Sequence, residues 1–360
     1  MVSSNLSFPA TVHAEAPVVV YWEATQACDL ACRHCRAEAI PEPPPGELTS
    51  EEAHALLRQI AAFRRSMLVI TGGDPMKRPD LVELVAEATG LGLRVALTPS
   101  GTNRLTPAAI EAMRAAGLDA VALSFDGSSA TRHDAFRRVP GCFDRTRAAA
   151  MWVRYAGLPL QVNTTVTAET AGDLPAVHDL VAALGGARWS LFFLVPVGRG
   201  RLLEEVSPTA SEHLCRWLFQ RSRSAPFDVK TTEAPHYRRV VVEQLRRMGM
   251  SDRDIQGASF ARSFGVRDGN GVVFVSSTGE IYPSGFLPLS AGNVRRDRLV
   301  DIYRESPLFR DLRDIGKLTG KCGRCPYRGI CGGSRARAWA RTGDPFASDP
   351  LCPYVPPEAS

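Results

Sequence analysis

The sequence predicts an α/β fold, in which a partial (β/α)6 barrel of parallel strands precedes a small cysteine-rich module with a β-hairpin. Short β-branched runs alternate with helix-like stretches through roughly the first 200 residues, which implies parallel strands joined by right-handed crossovers. Six such units favour an open partial barrel over a closed barrel of eight units. The four cysteines near the C-terminus lie in a segment rich in glycine, proline and arginine, which indicates a fold organised by a metal.

The candidate strands and helices follow one another in regular order. The six strands are 17–23, 67–71, 94–98, 120–125, 160–165 and 189–195. The helices between them are 50–65, 79–90, 107–116, 143–155 and 174–184. Helix-start signals occur at Thr49, which is followed by Ser-Glu-Glu, and at Pro107. Helix ends are predicted at Gly90, Gly117 and Gly157.

The remainder of the chain is organised differently. Residues 271–283 predict a β-hairpin that turns at a Thr-Gly dipeptide, and residues 299–313 predict a helix. We therefore divide the chain into a partial barrel over 15–205, a helical linker over 206–265 and a cysteine-rich module over 266–360.

Composition and charge limit the class of protein. No apolar run approaches the roughly 20 residues of a membrane-spanning helix, and the N-terminus lacks the basic start and apolar stretch of a secretory signal. We therefore expect a cytoplasmic protein with no membrane association. The net charge of +5 comes from arginines spread along helices, not from a basic stripe with stacking aromatics, so no nucleic-acid partner is expected.

Three cysteines follow the first predicted strand with C-x3-C-x2-C spacing: Cys28, Cys32 and Cys35. A cubane iron–sulfur cluster held by three thiolates keeps one iron open for another ligand, which is typical of a reactive metal site. Two alternatives are a zinc site completed by His34 and free thiols in a core. Zinc ligands usually come in paired knuckles, and no neighbouring pair completes this set. Nine cysteines, an odd number, argue against a disulfide framework.

A second cysteine set has C-x2-C-x5-C-x20-C spacing and comprises Cys322, Cys325, Cys331 and Cys352. Taken alone, this set favours zinc. Beside the first triplet, we interpret it as the ligand set of a second 4Fe–4S cluster, with zinc as the alternative. Cys142 and Cys215 lie in helical context and are predicted to be buried.

Polar and glycine-rich residues follow each predicted strand. Because the carboxyl ends of parallel strands meet at one rim, these residues are expected to face the cysteine triplet. Each residue taken singly is more often part of a turn than of a site, yet their recurrence after six strands favours a ligand pocket. Its candidate members are Gly72, Gly73, Asp74, Ser124 and Asn163.

The C-x3-C-x2-C loop, the Gly-Gly-Asp-Pro run at 72–75 and the cysteine-rich module together resemble the radical S-adenosylmethionine (SAM) enzymes of the SPASM/Twitch subgroup. The resemblance implies that Cys28, Cys32 and Cys35 hold a 4Fe–4S cluster whose free iron binds the amino and carboxylate groups of SAM. It also implies that one-electron reduction cleaves SAM to methionine and a 5′-deoxyadenosyl radical, which takes a hydrogen atom from the substrate. A flavodoxin or ferredoxin is the expected electron donor.

The resemblance also assigns backbone contacts with SAM. It implies that Gly72, Gly73 and Asp74 approach the amino group through their backbone, although the family usually has glutamate where this chain has Asp74. The backbone of residues 194–197 would flank the adenine ring.

Side-chain contacts with SAM are implied in the same way. Ser124 and Arg137 match the family's carboxylate and ribose contacts, and Asn163 completes the predicted cofactor-binding set. His34 would pack near adenine without acting as a ligand. Asp126 is kept outside the set because it is a candidate cap for the following helix.

The cysteine-rich module departs from a full SPASM pattern at two positions, where Ser284 and Ser334 stand in place of cysteines. One auxiliary cluster is therefore expected, not two. A one-cluster module of this kind is most similar to the tetrapyrrole-processing branch, which acts on propionate side chains of haem precursors. His236, Arg238 and Arg239 would then contact carboxylates or porphyrin iron, or would only pack the domain junction.

We therefore expect a radical SAM enzyme that takes a hydrogen atom from a small-molecule substrate, with a haem-precursor propionate as the candidate. One alternative is a peptide maturase of the same superfamily. Such enzymes often carry a leader-peptide domain before the barrel, and 27 residues precede Cys28 here. The other alternative is a non-catalytic zinc or iron–sulfur protein, which would need no second ligand pocket.

Overall fold

The computed structural model describes residues 11–357. Their strands are β1 Val19–Glu23, β2 Met67–Thr71, β3 Arg94–Leu97, β4 Ala120–Ser124, β5 Leu160–Val166, β6 Arg188–Phe193, β7 Asp228–Thr232, β8 Arg267–Asp268, β9 Gly271–Val275, β10 Glu280–Tyr282 and β11 Gly292–Asn293. Their helices are α1 Ser50–Ala61, α2 Leu81–Gly90, α3 Pro107–Ala115, α4 Ala130–Arg137, α5 Cys142–Tyr155, α6 Leu174–Ala183, α7 Pro208–Ser222, α8 His236–Arg247, α9 Asp252–Gly257, α10 Leu299–Glu305, α11 Pro307–Arg313, α12 Gly320–Arg324 and α13 Arg335–Thr342.

All eleven strands belong to one sheet with the order β11-β10-β9-β1-β2-β3-β4-β5-β6-β7, and β8 pairs with β9. Strands β1 to β7 are parallel to their neighbours, as the strand–helix alternation predicts. No pairing joins β7 to β11 in the part of the chain that is described, so the sheet is open. The prediction of an α/β fold with a partial parallel barrel is confirmed.

The two faces of the sheet differ in polarity. Val20 and Trp22 of β1 and Leu123 of β4 are fully buried in the core that the sheet shares with its helices. Their neighbours in sequence, such as Tyr21 and Ser124, point to the opposite, inner face, because side chains alternate along a strand. These neighbours are half-buried. Burial of a large apolar side chain contributes about 1.5–3 kcal/mol to folding. The outer face therefore provides the stability, and the inner face is left for ligands.

The sheet has one parallel strand more than predicted. Strand β7, Asp228–Thr232, lies in the segment predicted as a helical linker and pairs with β6. Its sequence Asp-Val-Lys-Thr-Thr contains one large apolar residue, Val229, so it lacks the apolar run by which a buried strand is recognised. The division of the chain at 205 and 265 stays a prediction.

The predicted hairpin is confirmed, because Ile281 of β10 pairs with Val275 of β9 in an antiparallel register. In addition, β9 pairs in parallel with β1, which makes the hairpin an extension of the barrel sheet. The predicted helix 299–313 is wrong in one respect: α10 ends at Glu305 and α11 begins at Pro307. Proline lacks the N–H that a continuous helix needs, and Ser306 caps α11 through a hydrogen bond from the Phe309 N–H (3.4 Å).

Candidate cofactor site

The three cysteines after β1 form one compact group. Cys28 and Cys32 are buried, and Cys35 is half-buried in the same apolar cluster. Backbone N–H groups point at two of the sulfur atoms, from Leu30 to Cys28 Sγ (3.3 Å) and from Ala39 to Cys35 Sγ (3.4 Å). Hydrogen bonds to the sulfurs are a means by which proteins tune iron–sulfur clusters. This donor set therefore fits a cluster with three protein ligands.

Burial disfavours the ionised form of two cysteine thiols in this group. Burial raises the pKa of Cys28 to about 11 and also raises the pKa of Cys32. A metal bound by thiolates must displace these protons, so cluster assembly releases protons.

The glycine pair after β2 packs directly on the cysteine loop. The Gly73 N–H donates to the Thr25 carbonyl (2.7 Å), and the Asp74 N–H donates to the Ala27 carbonyl (2.7 Å). A Cβ at Gly72 would lie 2.5 Å from the Thr25 oxygen, and a Cβ at Gly73 would lie 2.4 Å from the Ala27 oxygen. Close backbone approach therefore requires glycine at both positions.

The Asp74 side chain points into the protein. It is fully buried and accepts hydrogen bonds from the Ser100 N–H (3.2 Å), the Met76 N–H (3.2 Å) and the Thr102 hydroxyl (2.7 Å). Burial raises the pKa of Asp74 even though these donors oppose the shift. The carboxylate thus ties the loop after β2 to the loop after β3, which leaves the backbone for the predicted contact with SAM.

Ser100 was missed as a site residue by the sequence reasoning. Its hydroxyl donates to the Gly73 carbonyl (2.9 Å) and lies 3.5 Å from Cys28 Sγ. The available signal was the Pro-Ser-Gly run directly after the third strand.

Arg137 contacts a cysteine of the triplet. Its Nη1 lies 3.5 Å from Cys32 Sγ, and its Nη2 lies 2.6 Å from Asp126 Oδ2. The other carboxylate oxygen of Asp126 accepts the Thr165 N–H (2.7 Å). The alternative that Asp126 caps a helix is wrong, because α4 begins after Ser129. Burial by itself would raise the pKa of Asp126, but Arg137 and the other donors outweigh it and hold the carboxylate ionised.

His34 packs on an aromatic ring. Its imidazole stacks on Phe136 with 4.8 Å between ring centres, and its Nε2 lies 3.9 Å from Asp126 Oδ2. Burial lowers the pKa of His34 to about 4, so the ring is neutral at pH 7. This placement gives His34 a packing role.

Ser124 and Asn163 lie opposite each other on the inner face, because β4 and β5 pair with these two residues in register. Asn163 Oδ1 accepts a hydrogen bond from Gln161 Nε2 (2.8 Å). The two predicted polar contacts are therefore neighbours on one wall of the sheet.

The loop after β6 covers the other side of the cysteine loop. The Arg199 N–H donates to the Cys35 carbonyl (3.0 Å), and Arg199 Nε donates to the Cys32 carbonyl (2.9 Å). Gly198 has φ +51°, and a Cβ there would lie 2.5 Å from the Cys35 oxygen. Arg199 had no sequence signal beyond its place in a Gly-Arg-Gly run.

The second cysteine set surrounds one small cavity, which is lined by Cys322, Cys325, Cys331 and Cys352. Backbone N–H groups of Asp349 and Gly333 point at Cys322 Sγ (3.3 Å) and Cys331 Sγ (3.4 Å). Four sulfur atoms around one cavity fit a single auxiliary cluster.

The two serines that replace SPASM cysteines have other partners. Ser334 caps α13 by accepting the Arg337 N–H (3.0 Å), and its hydroxyl donates to Glu233. Ser284 accepts the Phe286 N–H (3.3 Å) in a turn. Neither serine lines the auxiliary cavity.

The basic residues of α8 pack against α7 and against the segments that contain Val266 and Ile330. Arg238 donates to the carbonyls of Ile330 (3.1 Å) and Val266 (2.6 Å), and His236 Nε2 lies 2.8 Å from the Ser211 hydroxyl. Arg239 is paired with Glu212. These contacts favour the packing interpretation over a direct contact with a substrate.

Comparison with known proteins decides the family. The Radical SAM superfamily model matches residues 22–181. An AdoMet-dependent heme synthase of Methanosarcina barkeri is 40% identical over 341 residues, which is 95% of this chain and 97% of that protein. The chain belongs to the radical SAM superfamily. A second AdoMet-dependent heme synthase, from Nitratidesulfovibrio vulgaris, is 39% identical over 97% of this chain and 96% of its own length.

A solved radical SAM structure shares the fold. Streptococcus suis SuiB bound to S-adenosylmethionine has a TM-score of 0.73 with 17% sequence identity, over 94% of this chain and 78% of that one. As a radical SAM protein, the chain uses a 4Fe–4S cluster and SAM, so the resemblance seen in its cysteine spacing is confirmed. In residues 11–357, no helix is long and apolar enough to cross a membrane.

Proposed function

We propose that this radical SAM enzyme takes a hydrogen atom from a propionate side chain of a haem precursor. The observation that carries the proposal is the likeness to AdoMet-dependent heme synthases, which extends over 95–97% of the chain. The polar inner face of the open sheet, next to the cysteine loop, supports it as a place where a large substrate could bind beside SAM.

In this proposal, Cys28, Cys32 and Cys35 hold the SAM-binding cluster. The auxiliary cluster is held by Cys322, Cys325, Cys331 and Cys352. When bound, the first cluster and SAM supply the reductive cleavage that generates a hydrogen-abstracting radical.

The surrounding residues of the chain bind and orient the cofactor. Ser124 and Asn163 offer hydrogen-bonding groups to SAM from the inner wall of the sheet. Gly72 and Gly73 allow the backbone after β2 to come close to the cysteine loop. Arg137, fixed by Asp126, places a positive charge next to Cys32 and favours its ionised form.

The reductant and the compartment also belong to the proposal. A flavodoxin or ferredoxin would donate the electron, and the cationic residues Lys321 and Arg328 beside the auxiliary cavity would suit an acidic protein. Seven cysteines that act as cluster ligands would suit a reducing compartment such as the cytoplasm, where thiols stay reduced.

The test is anaerobic turnover with defined substrates. The protein is reconstituted, reduced with a chemical reductant in the presence of SAM, and incubated with iron coproporphyrin or with short peptides. The two products quantified are 5′-deoxyadenosine and the decarboxylated substrate. We expect both products to form with the porphyrin. Turnover of peptides alone would favour a peptide maturase, and no 5′-deoxyadenosine from a sample with reduced clusters would contradict radical chemistry. The Cys32→Ala variant is the control that should form none.

A further inference from the structure

We propose that Lys230 binds a non-reacting carboxylate of the substrate on the inner wall of the sheet, next to the ion pair that Arg188 forms with Asp228 (3.3 Å). The inference rests on the proposed function, because it requires a substrate with several carboxylates. It assigns a specificity role to a strand that the sequence did not predict.

Strand register places Lys230 in the same row as the predicted SAM contacts. Ser124 pairs with Asn163, Asn163 pairs with Ser190, and Ser190 pairs with Lys230. Val229, the preceding residue of β7, packs against the core of the outer face, so Lys230 faces the inner side.

Lys230 is the lysine that the fold leaves without a partner. The chain has four lysines, and the other three, Lys77, Lys317 and Lys321, each bond to an oxygen of the chain. The Lys230 ammonium forms no hydrogen bond or ion pair with residues 11–357. An unpaired cation inside a concave wall favours an anionic ligand.

The neighbours of Lys230 on the inner face are mainly cationic. Solvent reaches its side chain, but the surrounding protein, and after it Arg188 and Arg238, lower its pKa to about 8. Tyr21, on β1 across the sheet, has the same Arg188 as an electrostatic neighbour.

The distance from the SAM row fits a large substrate. Three strand spacings separate Ser124 from Lys230, which is about 14 Å along the wall. A carboxylate held at Lys230 would thus belong to a different part of the substrate from the group that reacts near SAM. A tetrapyrrole with propionates around its ring can satisfy both positions at once.

Equilibrium binding tests the proposal independently of turnover. The cluster-loaded protein is titrated anaerobically with iron coproporphyrin, and the change in porphyrin absorbance gives Kd for wild type, Lys230→Met and Lys230→Arg. Loss of a charge-assisted contact should weaken binding about 10- to 100-fold in Lys230→Met, and the arginine variant should recover most of the loss. The tetramethyl ester of the porphyrin should bind wild type and Lys230→Met equally.

Two controls separate the possible outcomes. Lys317→Met removes an exposed lysine that is paired with Asp311 and should leave Kd unchanged. Equal Kd values for wild type and Lys230→Met would overturn the carboxylate site while leaving the haem-precursor substrate intact. Absence of binding by the wild type would contradict the substrate class and the site together.

Discussion

At the residue scale, Arg137 and Asp126 connect the cysteine loop to the inner wall of the sheet. The guanidinium lies between the Asp126 carboxylate (2.6 Å) and Cys32 Sγ (3.5 Å). A buried ion pair of this kind is costly to break by removal of one partner, since the other charge is left uncompensated. The pair therefore fixes a positive charge beside a cluster ligand, where it favours the thiolate.

Replacing Cys28, Cys32 or Cys35 with alanine, one at a time, should remove one cluster, which is about four iron atoms per chain. Each of these variants should also lose SAM cleavage. The matched control is Cys142→Ala, because Cys142 is buried in the same apolar cluster but has its thiol near the Gly101 carbonyl (3.7 Å). Iron and sulfide assays after anaerobic reconstitution measure the effect. Equal iron loss in the Cys142→Ala variant would show that this assignment of ligands is wrong.

Substrate binding should weaken by about tenfold as the pH rises from 7 to 9. The pKa of Lys230 is lowered to about 8 by burial, with help from Arg188 and Arg238, so the ammonium is charged below pH 8 and neutral above it. Arginine stays charged throughout this range, so Lys230→Arg should flatten the profile of Kd against pH. Identical profiles in the two proteins would exclude titration of Lys230.

Three other titratable groups lie near this wall, and the first of them, Asp228 on the same face of β7, is paired with Arg188 (3.3 Å). Glu233 follows β7 and has a pKa raised to about 8 by burial and by Asp268, so it gains negative charge in the same range. Tyr21 has a raised pKa and stays neutral. Any pH dependence that remains in Lys230→Arg should therefore disappear when Glu233→Gln is added.

At the element scale, the loops after β1, β2 and β6 hold one another through their backbones. The glycine pair 72–73 meets the cysteine loop from one side, and Gly198 meets it from the other. Neither contact has room for a side chain. The position of the cysteine loop is thus set by neighbouring strands as well as by its own sequence.

Gly73→Ala should displace the cysteine loop and lower the free energy of unfolding by about 1–3 kcal/mol, because the new methyl group would overlap the Ala27 carbonyl. Urea unfolding measures the change, and iron content should fall in parallel. Gly90→Ala is the matched control, since a Cβ at this position, within α2, has no atom within 4 Å. A Gly73→Ala protein as stable as the wild type would contradict this account of the glycine pair.

At the scale of the whole molecule, one sheet and one buried arginine join the auxiliary cysteines to the partial barrel. Strand β9 extends the sheet from β1, and Arg36 of the cysteine loop lies over the Phe274 ring of β9 (4.5 Å). Arg337 of α13 is fully buried and donates to the carbonyls of Phe193 (3.2 Å) and Leu194 (2.8 Å) at the end of β6. The two cysteine sites therefore belong to one folded unit.

Arg337→Ala should lower the free energy of unfolding by about 3–5 kcal/mol, because it removes a buried partner of Glu205 and leaves strand carbonyls unpaired. Arg341→Ala is the control on the same helix. It removes a half-exposed partner of the same Glu205 and should cost about 1 kcal/mol or less. Equal urea midpoints for the two variants would contradict the role assigned to Arg337.

The sequence by itself determined the alternation of strands and helices, the two cysteine sets and the glycine run at 72–73, because each is a local pattern whose spacing encodes its structure. Only the tertiary structure decided that Asp126 pairs with Arg137, that Ser100 approaches Cys28 and that Lys230 faces the inner wall. These relations depend on strand register and on contacts between residues far apart in the chain. Strand β7 is the clearest case, because its weakly apolar sequence forms a strand through hydrogen bonds to β6.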